Sequence, residues 1–335
     1  MRSNDEAAFT IKMAGYEDLM KIRKMAVDNA VTRLSSARSI TENEIREVRK
    51  QDLEGLEKLL KRENARIYKA CDTHGKMAGF IIVLLAFEHT VTGEFQADIN
   101  EIYVLPEKRR QGIGSLLLAK AEKFIHSKGL NYSSLELLSD NKAAISFFQK
   151  HGYVEEIKIL VMKPFIPREP ENIPFNVRPA TTFDFPKIRE LAVESAIYSK
   201  PSQRDIDDEM LKELFHLRMF DPIEARQKRD SFFLIAEADS GEFAGFILAE
   251  RERDHFCNTP QLKVVNIAVH EAYWGKKAAQ ALYNSFLRIA VDEQVPYITG
   301  VIASENRRSW LFFSRIWKAV EERKIIARKF SAVQR

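Results

Sequence analysis

The sequence predicts a mixed α/β protein built twice over, a central sheet flanked by helices in each half. Three observations predict it. Short apolar strands alternate with amphipathic helices, the pattern of a helix-covered sheet. An ordered series of matches repeats along the chain, as in Ala78-Gly-Phe-Ile81 and Ala244-Gly-Phe-Ile247. And one run, Glu101-Ile-Tyr-Val-Leu-Pro-Glu-Lys-Arg-Arg-Gln-Gly-Ile-Gly114, reads as a strand, a basic loop and the start of a helix.

The elements of the first half follow in order. A short strand is expected at 9–14, then a helix over 17–30 with apolar positions at Leu19, Ile22, Met25 and Ala26. A long charged helix over 41–63 follows, with Thr41 as N-cap and Glu44 completing a capping box. Strands at 66–72 and 76–87 form a hairpin, and the motif strand covers 98–105. Pro106 stops that strand. The loop closes on Gly112 and Gly114 and opens a helix from Ser115 to Ser127, where backbone N–H groups and the helix dipole favour an anion. A strand at 132–138, a helix at 141–151 and a strand at 153–162 complete the half.

The repeat is offset by 166 residues early on, as from Ala78 to Ala244, and by 165 later, as from Asn141 to Asn306. A one-residue slip in the hairpin around 88–98 accounts for the change. Between the copies Pro164-Phe-Ile-Pro-Arg-Glu-Pro-Glu-Asn-Ile-Pro174 carries a proline every three or four residues, a semi-rigid linker. The expected domains are therefore 1–163 and 175–335, with the linker at 164–174.

Bulk properties narrow the function. The chain has 335 residues and a formal net charge of +4, which permits an anionic ligand but lacks the dense basic clustering of a nucleic-acid binder. Cys71 and Cys257 fall in different halves and indicate neither a disulfide framework nor a metal site. The histidines show no paired ligand spacing, so no metal is expected; His74, His126 and His151 read as turn or helix-surface residues. Met1–Ala8 is polar, and the longest apolar run, Phe80–Phe87, is too short to span a bilayer. A cytoplasmic protein, monomer or homodimer, is expected. Phe147, Phe148, Phe312 and Phe313 read as core, and Ser139 as part of a helix N-cap.

Arg109-Arg-Gln-Gly112-Ile-Gly114, preceded by Tyr103-Val-Leu-Pro106 and followed by Asn141-Lys-Ala-Ala-Ile-Ser-Phe-Phe-Gln-Lys-His-Gly-Tyr153, resembles the GCN5-related N-acetyltransferase (GNAT) superfamily. The resemblance covers each half almost end to end and implies two tandem GNAT (acyl-CoA N-acyltransferase) folds. It implies acetyl-CoA as co-substrate. Its pyrophosphate would lie on Arg109, Arg110, Gln111, Gly112, Ile113, Gly114 and Ser115, its pantetheine arm along Ile102, Tyr103 and Val104, and Asn141 near its sulfur. An amine acceptor, small molecule or protein, is implied in a ternary complex. Deprotonating it calls for a base, because an alkylamine titrates near 10.4. Glu101 is the first choice and Asp98 the second. In a regular strand a separation of three puts them on opposite faces, unless a bulge intervenes.

Two departures qualify the resemblance. Phe148 stands where the family often places a tyrosine that protonates the departing thiolate. In the second copy Trp274-Gly-Lys-Lys277-Ala-Ala279 covers Arg109–Gly114, Lys263 and Asn266 replace Asp98 and Glu101, and Ile316-Trp317 replaces His151-Gly152. A lysine at 277 is expected to crowd the pyrophosphate, so the second copy reads as a structural or substrate-shaping domain. Two other functions fit the pattern: a non-catalytic acyl-CoA-binding regulatory module, and an aminoacyl-transferring relative using charged tRNA.

Overall fold

A computed structural model describes residues 9–61, 64–167, 173–218 and 231–330. They form two compact units: Met1–Glu155 with Ile325–Arg335, and Glu156–Lys324. Each holds one copy of the repeat, but the closing strand is traded. From Glu156 the closing strand of the first copy belongs to the second unit, and from Ile325 the closing strand of the second copy belongs to the first.

In the first unit the strands β1 (Phe9–Met13), β2 (Ala65–Asp72), β3 (Met77–Glu88), β4 (Phe95–Val104) and β5 (Tyr132–Leu138) lie side by side in that order, and the Ile325–Lys329 end of the last strand follows β5. Helices cover both faces. α1 (Leu19–Asn29), α2 (Glu42–Glu54) and α3 (Leu56–Lys61) pack on the face that carries Ile67, Phe80 and Ile82. α4 (Ile113–Ser127) and α5 (Lys142–Lys150) pack on the face that carries Ile81, Val83 and Ile99. Because β3 is buried on both sides, it reads as a continuous apolar run instead of an alternating one. Ile326 joins the α4 core, and Arg328 Nη1 donates to both Glu122 carboxylate oxygens at 2.8 Å, so the C-terminal segment is part of this unit's packing.

The helix expected over 41–63 is two helices. It breaks at Gly55, and residues 62–63 lie outside the described ones. The Thr41–Glu44 capping box forms as expected. α4 starts two residues before the expected Ser115, since Gly112 already serves as its N-cap.

The second unit repeats the plan with β6 (Val154–Met162, in this unit from Glu156), β7 (Phe175–Pro179), β8 (Ser231–Ala238), β9 (Phe243–Arg253), β10 (Pro260–Val269) and β11 (Ile298–Ala303), ordered β6-β11-β10-β9-β8-β7. β12 (Val320–Lys329) begins here. The helices are α6 (Phe185–Ser195), α7 (Asp208–Arg218), α8 (Ala278–Asp292) and α9 (Arg307–Arg315). Its core stacks Tyr283 on Trp317 with ring centroids 3.4 Å apart. Arg204 and Glu156, both fully buried, form a bidentate pair at 2.6 Å.

The change of repeat offset has a structural cause, and it is not in the hairpin turn. β3 pairs with β4 through two register shifts, one opposite Asn100 and one between Leu84 and Phe87. β9 and β10 keep only the first, between Val264 and Asn266. The extra residue is therefore a bulge inside β3, next to Leu85 and Ala86. Among the described residues no helix is long and apolar enough to cross a membrane.

Candidate functional site

The shared bulge decides which way the motif strand points. Ile82 faces Glu101, Val83 faces Ile99 and Leu84 faces Asp98, so Asn100 is the inserted residue. A bulge flips the side-chain alternation beyond it. Asp98 and Glu101 consequently share the face toward α1 and α2, while Ile99, Ile102 and Val104 face α4. The regular-strand expectation of opposite faces does not hold.

Glu101 is nearly buried, at 7% exposure. Asn29 Nδ2 donates to its Oε1 at 3.1 Å, Arg49 donates to its Oε2 in a buried ion pair, and Arg33 lies 3.7 Å away. Arg33 also donates to the Asn100 carbonyl at 3.2 Å, and Arg49 to Asn100 Oδ1 at 3.0 Å. Burial, with repulsion from Arg49 added, pushes the Arg33 guanidinium below its ordinary range. Asp98 is half-buried and sits at the last pair between β4 and β5. Tyr103 packs on Phe80, and burial raises its pKa, which keeps the phenol neutral.

The parallel ladder joining β4 to β5 holds only Ala97 with Ser133 and Asp98 with Ser134. From Ile99 onward β4 pairs with β3 alone, so the strands splay and leave a backbone edge open. An open edge accepts an extended chain as an added strand. Gly79 sets the spacing on the closed side. A Cβ there would lie 2.5 Å from the Tyr103 carbonyl oxygen and 3.2 Å from Val104 Cα. Gly245 stands in the same relation to Ala268 and Val269, at 2.4 and 3.0 Å.

At the mouth of the splay the loop turns through two left-handed residues, Arg110 (φ 65°) and Gly112 (φ 81°). Arg109 Nε donates back to the Val104 carbonyl at 3.0 Å and ties the loop to the strand end. α4 carries no side-chain cap, and its first helical bond runs from Leu116 N to Gly112 O. The N–H groups of Ile113, Gly114 and Ser115 are left without helical partners, the donor set that an anion satisfies. A Cβ on Gly112 would meet nothing within 4 Å, so the space before these donors is open. Gly114 allows α5 to close in: its Cβ would sit 3.3 Å from the Phe147 ring. Ser115 Oγ lies 3.0 Å from His151 Nε2.

Asn141 is the N-cap of α5, accepting from Ala144 N at 3.1 Å. Its side-chain amide donors have no partner among the described residues. Phe148 is core, at 1% exposure.

The second unit keeps the backbone and changes the chemistry. Gly275 (φ 75°) and Lys277 (φ 73°) repeat the left-handed pair of Arg110 and Gly112. Lysine at 277 therefore preserves the loop despite a conformation that side chains resist. Trp274 takes the place of Arg109 and donates to Val269 O at 2.8 Å. Asn306 caps α9, and its amide donates to Tyr198 O at 2.9 Å. Tyr198 packs edge-on against Trp274, Arg308 lies over the Trp274 ring at 3.7 Å, and Ser202 donates to Glu305. The β10–β11 ladder ends at Val264 with Gly300, and the loop between α6 and α7 lies across the α9 end of this second splay.

Sequence reasoning named the loop, the strand and both acids. It missed Arg33 and Arg49, whose only sequence signal was charge within a turn and a helix, and Asn29, which gave none; His151 lies in the turn after α5, as expected, but its contact with Ser115 was not foreseen.

The Acetyltransferase (GNAT) family pattern matches residues 32–153 and again 188–316. An uncharacterized N-acetyltransferase of Methanocaldococcus jannaschii is 31% identical over 98 residues, covering 29% of this chain and 43% of that protein's length. The uncharacterized N-acetyltransferase YhfO of Bacillus subtilis is 27% identical over 119 residues, 34% of this chain and 79% of YhfO. Among solved structures, a GCN5-related N-acetyltransferase from Sphaerobacter thermophilus superposes with a TM-score of 0.55 at 15% identity, over 96% of both chains. A tandem GNAT protein from the clavulanic acid biosynthesis pathway gives 0.52 at 13% identity, over 96% of this chain and 98% of that one. At such identities the structural likeness speaks for the fold alone.

Proposed function

Because this chain belongs to the acetyltransferase (GNAT) family, we propose that it is an acetyl-CoA-dependent N-acetyltransferase. Transfer to an amine would occur in a ternary complex at the first unit. The observation that carries this is the open cradle: uncapped N–H groups at Ile113–Ser115, beneath a left-handed Gly112 with free space above it, at the mouth of the β4–β5 splay.

The residues fit the co-substrate. The loop backbone from Gln111 to Ser115 would hold the diphosphate, with Arg109 and Arg110 adding charge. The open edge at Ile102–Val104 would take the pantetheine arm as a strand. The spare amide of Asn141 would hold the arm near its sulfur. When bound, acetyl-CoA supplies an activated acyl group. The N–H groups on the splayed edge of β4 are placed to stabilise negative charge on its carbonyl oxygen.

The amine proton goes to a carboxylate on the α1–α2 face of β4. Sequence alone put Glu101 before Asp98, and the clamp on Glu101 supports the reverse order. Both carboxylate oxygens of Glu101 are already engaged, Oε1 by Asn29 and Oε2 by Arg49, which suits an anchor. In this reading Asp98 accepts the proton, and Glu101 anchors the turn after α1, together with α2, to the bulge.

The second unit is proposed to do no chemistry. Lys277 at the helix cap, the engaged amide of Asn306 and the Tyr198–Trp274 contact support that. A CoA-binding module without turnover is the competing reading, favoured by Phe148 at the tyrosine position. Calorimetry and an amine panel separate the two. We expect one CoA per chain, loss of binding in Gly112→Lys, and acetylation of at least one amine. Tight binding with no acceptor acetylated would leave the regulatory reading standing, and two equivalent sites would refute the assignment to one unit.

A further inference from the structure

We propose that His151 is a protonation switch for the phosphate cradle and that Ser115 is its relay. The inference rests on the acetyl-CoA reading above and adds a residue to it. His151 Nδ1 lies 2.8 Å from the Phe147 carbonyl oxygen, which can only accept, so Nδ1 carries a hydrogen. In the neutral ring Nε2 is then a lone pair, and the Ser115 hydroxyl 3.0 Å away donates to it. That hydroxyl has one proton, and it is spent. Only oxygen lone pairs are left for anything at the helix N-terminus, where they oppose an anion. When Nε2 takes a proton from solvent, it donates to Ser115 Oγ, and the hydroxyl is released to donate to a phosphate oxygen. The imidazolium adds a positive charge one residue layer behind.

The geometry is pinned. The ring tilts against Phe147 with centroids 4.5 Å apart, and Phe147 packs on Gly114. Among the described residues no carboxylate bonds the ring, whose two nitrogens go to Ser115 and Phe147. On the surrounding elements, the first turn of α4 carries no charge, and the loop before it carries Glu107, Lys108, Arg109 and Arg110. α5 carries Lys142 and Lys150, Glu155 follows in the next strand, and Arg328, beside Gly152, is paired with Glu122. The second copy, with Lys277 at its cap, has Gln280 and Ile316 in place of Ser115 and His151, so the relay is present only where the cradle is open.

The test uses the full-length protein and 3′-dephospho-CoA, which lacks the 3′-phosphate that titrates in the same range. Calorimetric affinity between pH 7.5 and 5.5, at fixed ionic strength, should rise several-fold toward acid, because the anion binds the imidazolium form more tightly than the neutral one. His151→Gln, whose amide donates at every pH, and Ser115→Ala should give flat profiles. A flat wild-type profile, or the wild-type slope retained in His151→Gln, overturns the switch. Binding without a slope sinks this inference alone, whereas no binding at any pH sinks the acetyl-CoA reading with it. If His151→Gln does not fold, the titration midpoint of the His151 Cε1 proton in the wild type decides. It should move up when dephospho-CoA is added, and an unmoved midpoint overturns the proposal.

Discussion

Alanine at Gly79 is a sharp perturbation because the repeat supplies its own control. A Cβ at Gly79 would stand 2.5 Å from the Tyr103 carbonyl oxygen. A carbon approaches a carbonyl oxygen comfortably at about 3.3 Å, so β4 must withdraw by about 0.8 Å. Both obstacles, Tyr103 O and Val104 Cα, are backbone, so no rotamer change relieves them. Overpacking of this kind costs about 1–3 kcal/mol, a fall of about 2–10 °C in Tm for a unit of this size. Gly245→Ala meets the same obstacle at 2.4 Å from Ala268 O and should cost a similar amount. The functional outcomes should differ. Gly79→Ala displaces the segment proposed to take the pantetheine arm and should weaken CoA at least tenfold, about 1.4 kcal/mol. Gly245→Ala should change CoA affinity less than twofold. Denaturant titration and calorimetry on both variants check this. Equal effects on CoA affinity, or an undisturbed Gly79→Ala, would refute the reasoning.

Two further outcomes concern charge. Arg49→Met strips the nearly buried Glu101 of its closest cation and should destabilise the protein by about 3–5 kcal/mol, with much of the loss recovered in the double variant with Glu101→Met; a single-variant loss below about 1 kcal/mol in urea unfolding would mean the pair is not buried as described. In the second unit, hydrogen bonds from Arg178 hold the Asp184 carboxyl down at about 2, with the Thr181 capping bonds adding to the effect against a desolvation that raises it. A depressed pKa stabilises above the ordinary carboxylate range and loses that stability as pH falls through the folded value. The gap between wild type and Asp184→Asn, about 2 kcal/mol from the shift alone, should therefore hold near pH 5 and close between about pH 4 and pH 2. A gap that is constant with pH would remove Arg178 as the cause.

Much of this protein was legible in its sequence, for a physical reason: local patterns are set by local forces. The strand and helix order, the Thr41 cap, the Pro106 stop and the Gly112 loop follow from periodicity and backbone preference within a few residues. The loop shared by Arg109–Gly114 and Trp274–Ala279 is legible as a duplication even where Lys277 departs from glycine. What the tertiary structure alone decided depends on partners distant in the chain. A bulge at Asn100, visible only through pairing with β3, puts Asp98 and Glu101 on one face. Arg49 reaches Glu101 across 52 positions, and His151 reaches Ser115 across 36, so no window of sequence holds either pair. The traded closing strand is of the same kind. Its residues read as a strand wherever they are placed, and only sheet pairing, a long-range choice among similar edges, assigns Ile325–Lys329 to the first unit.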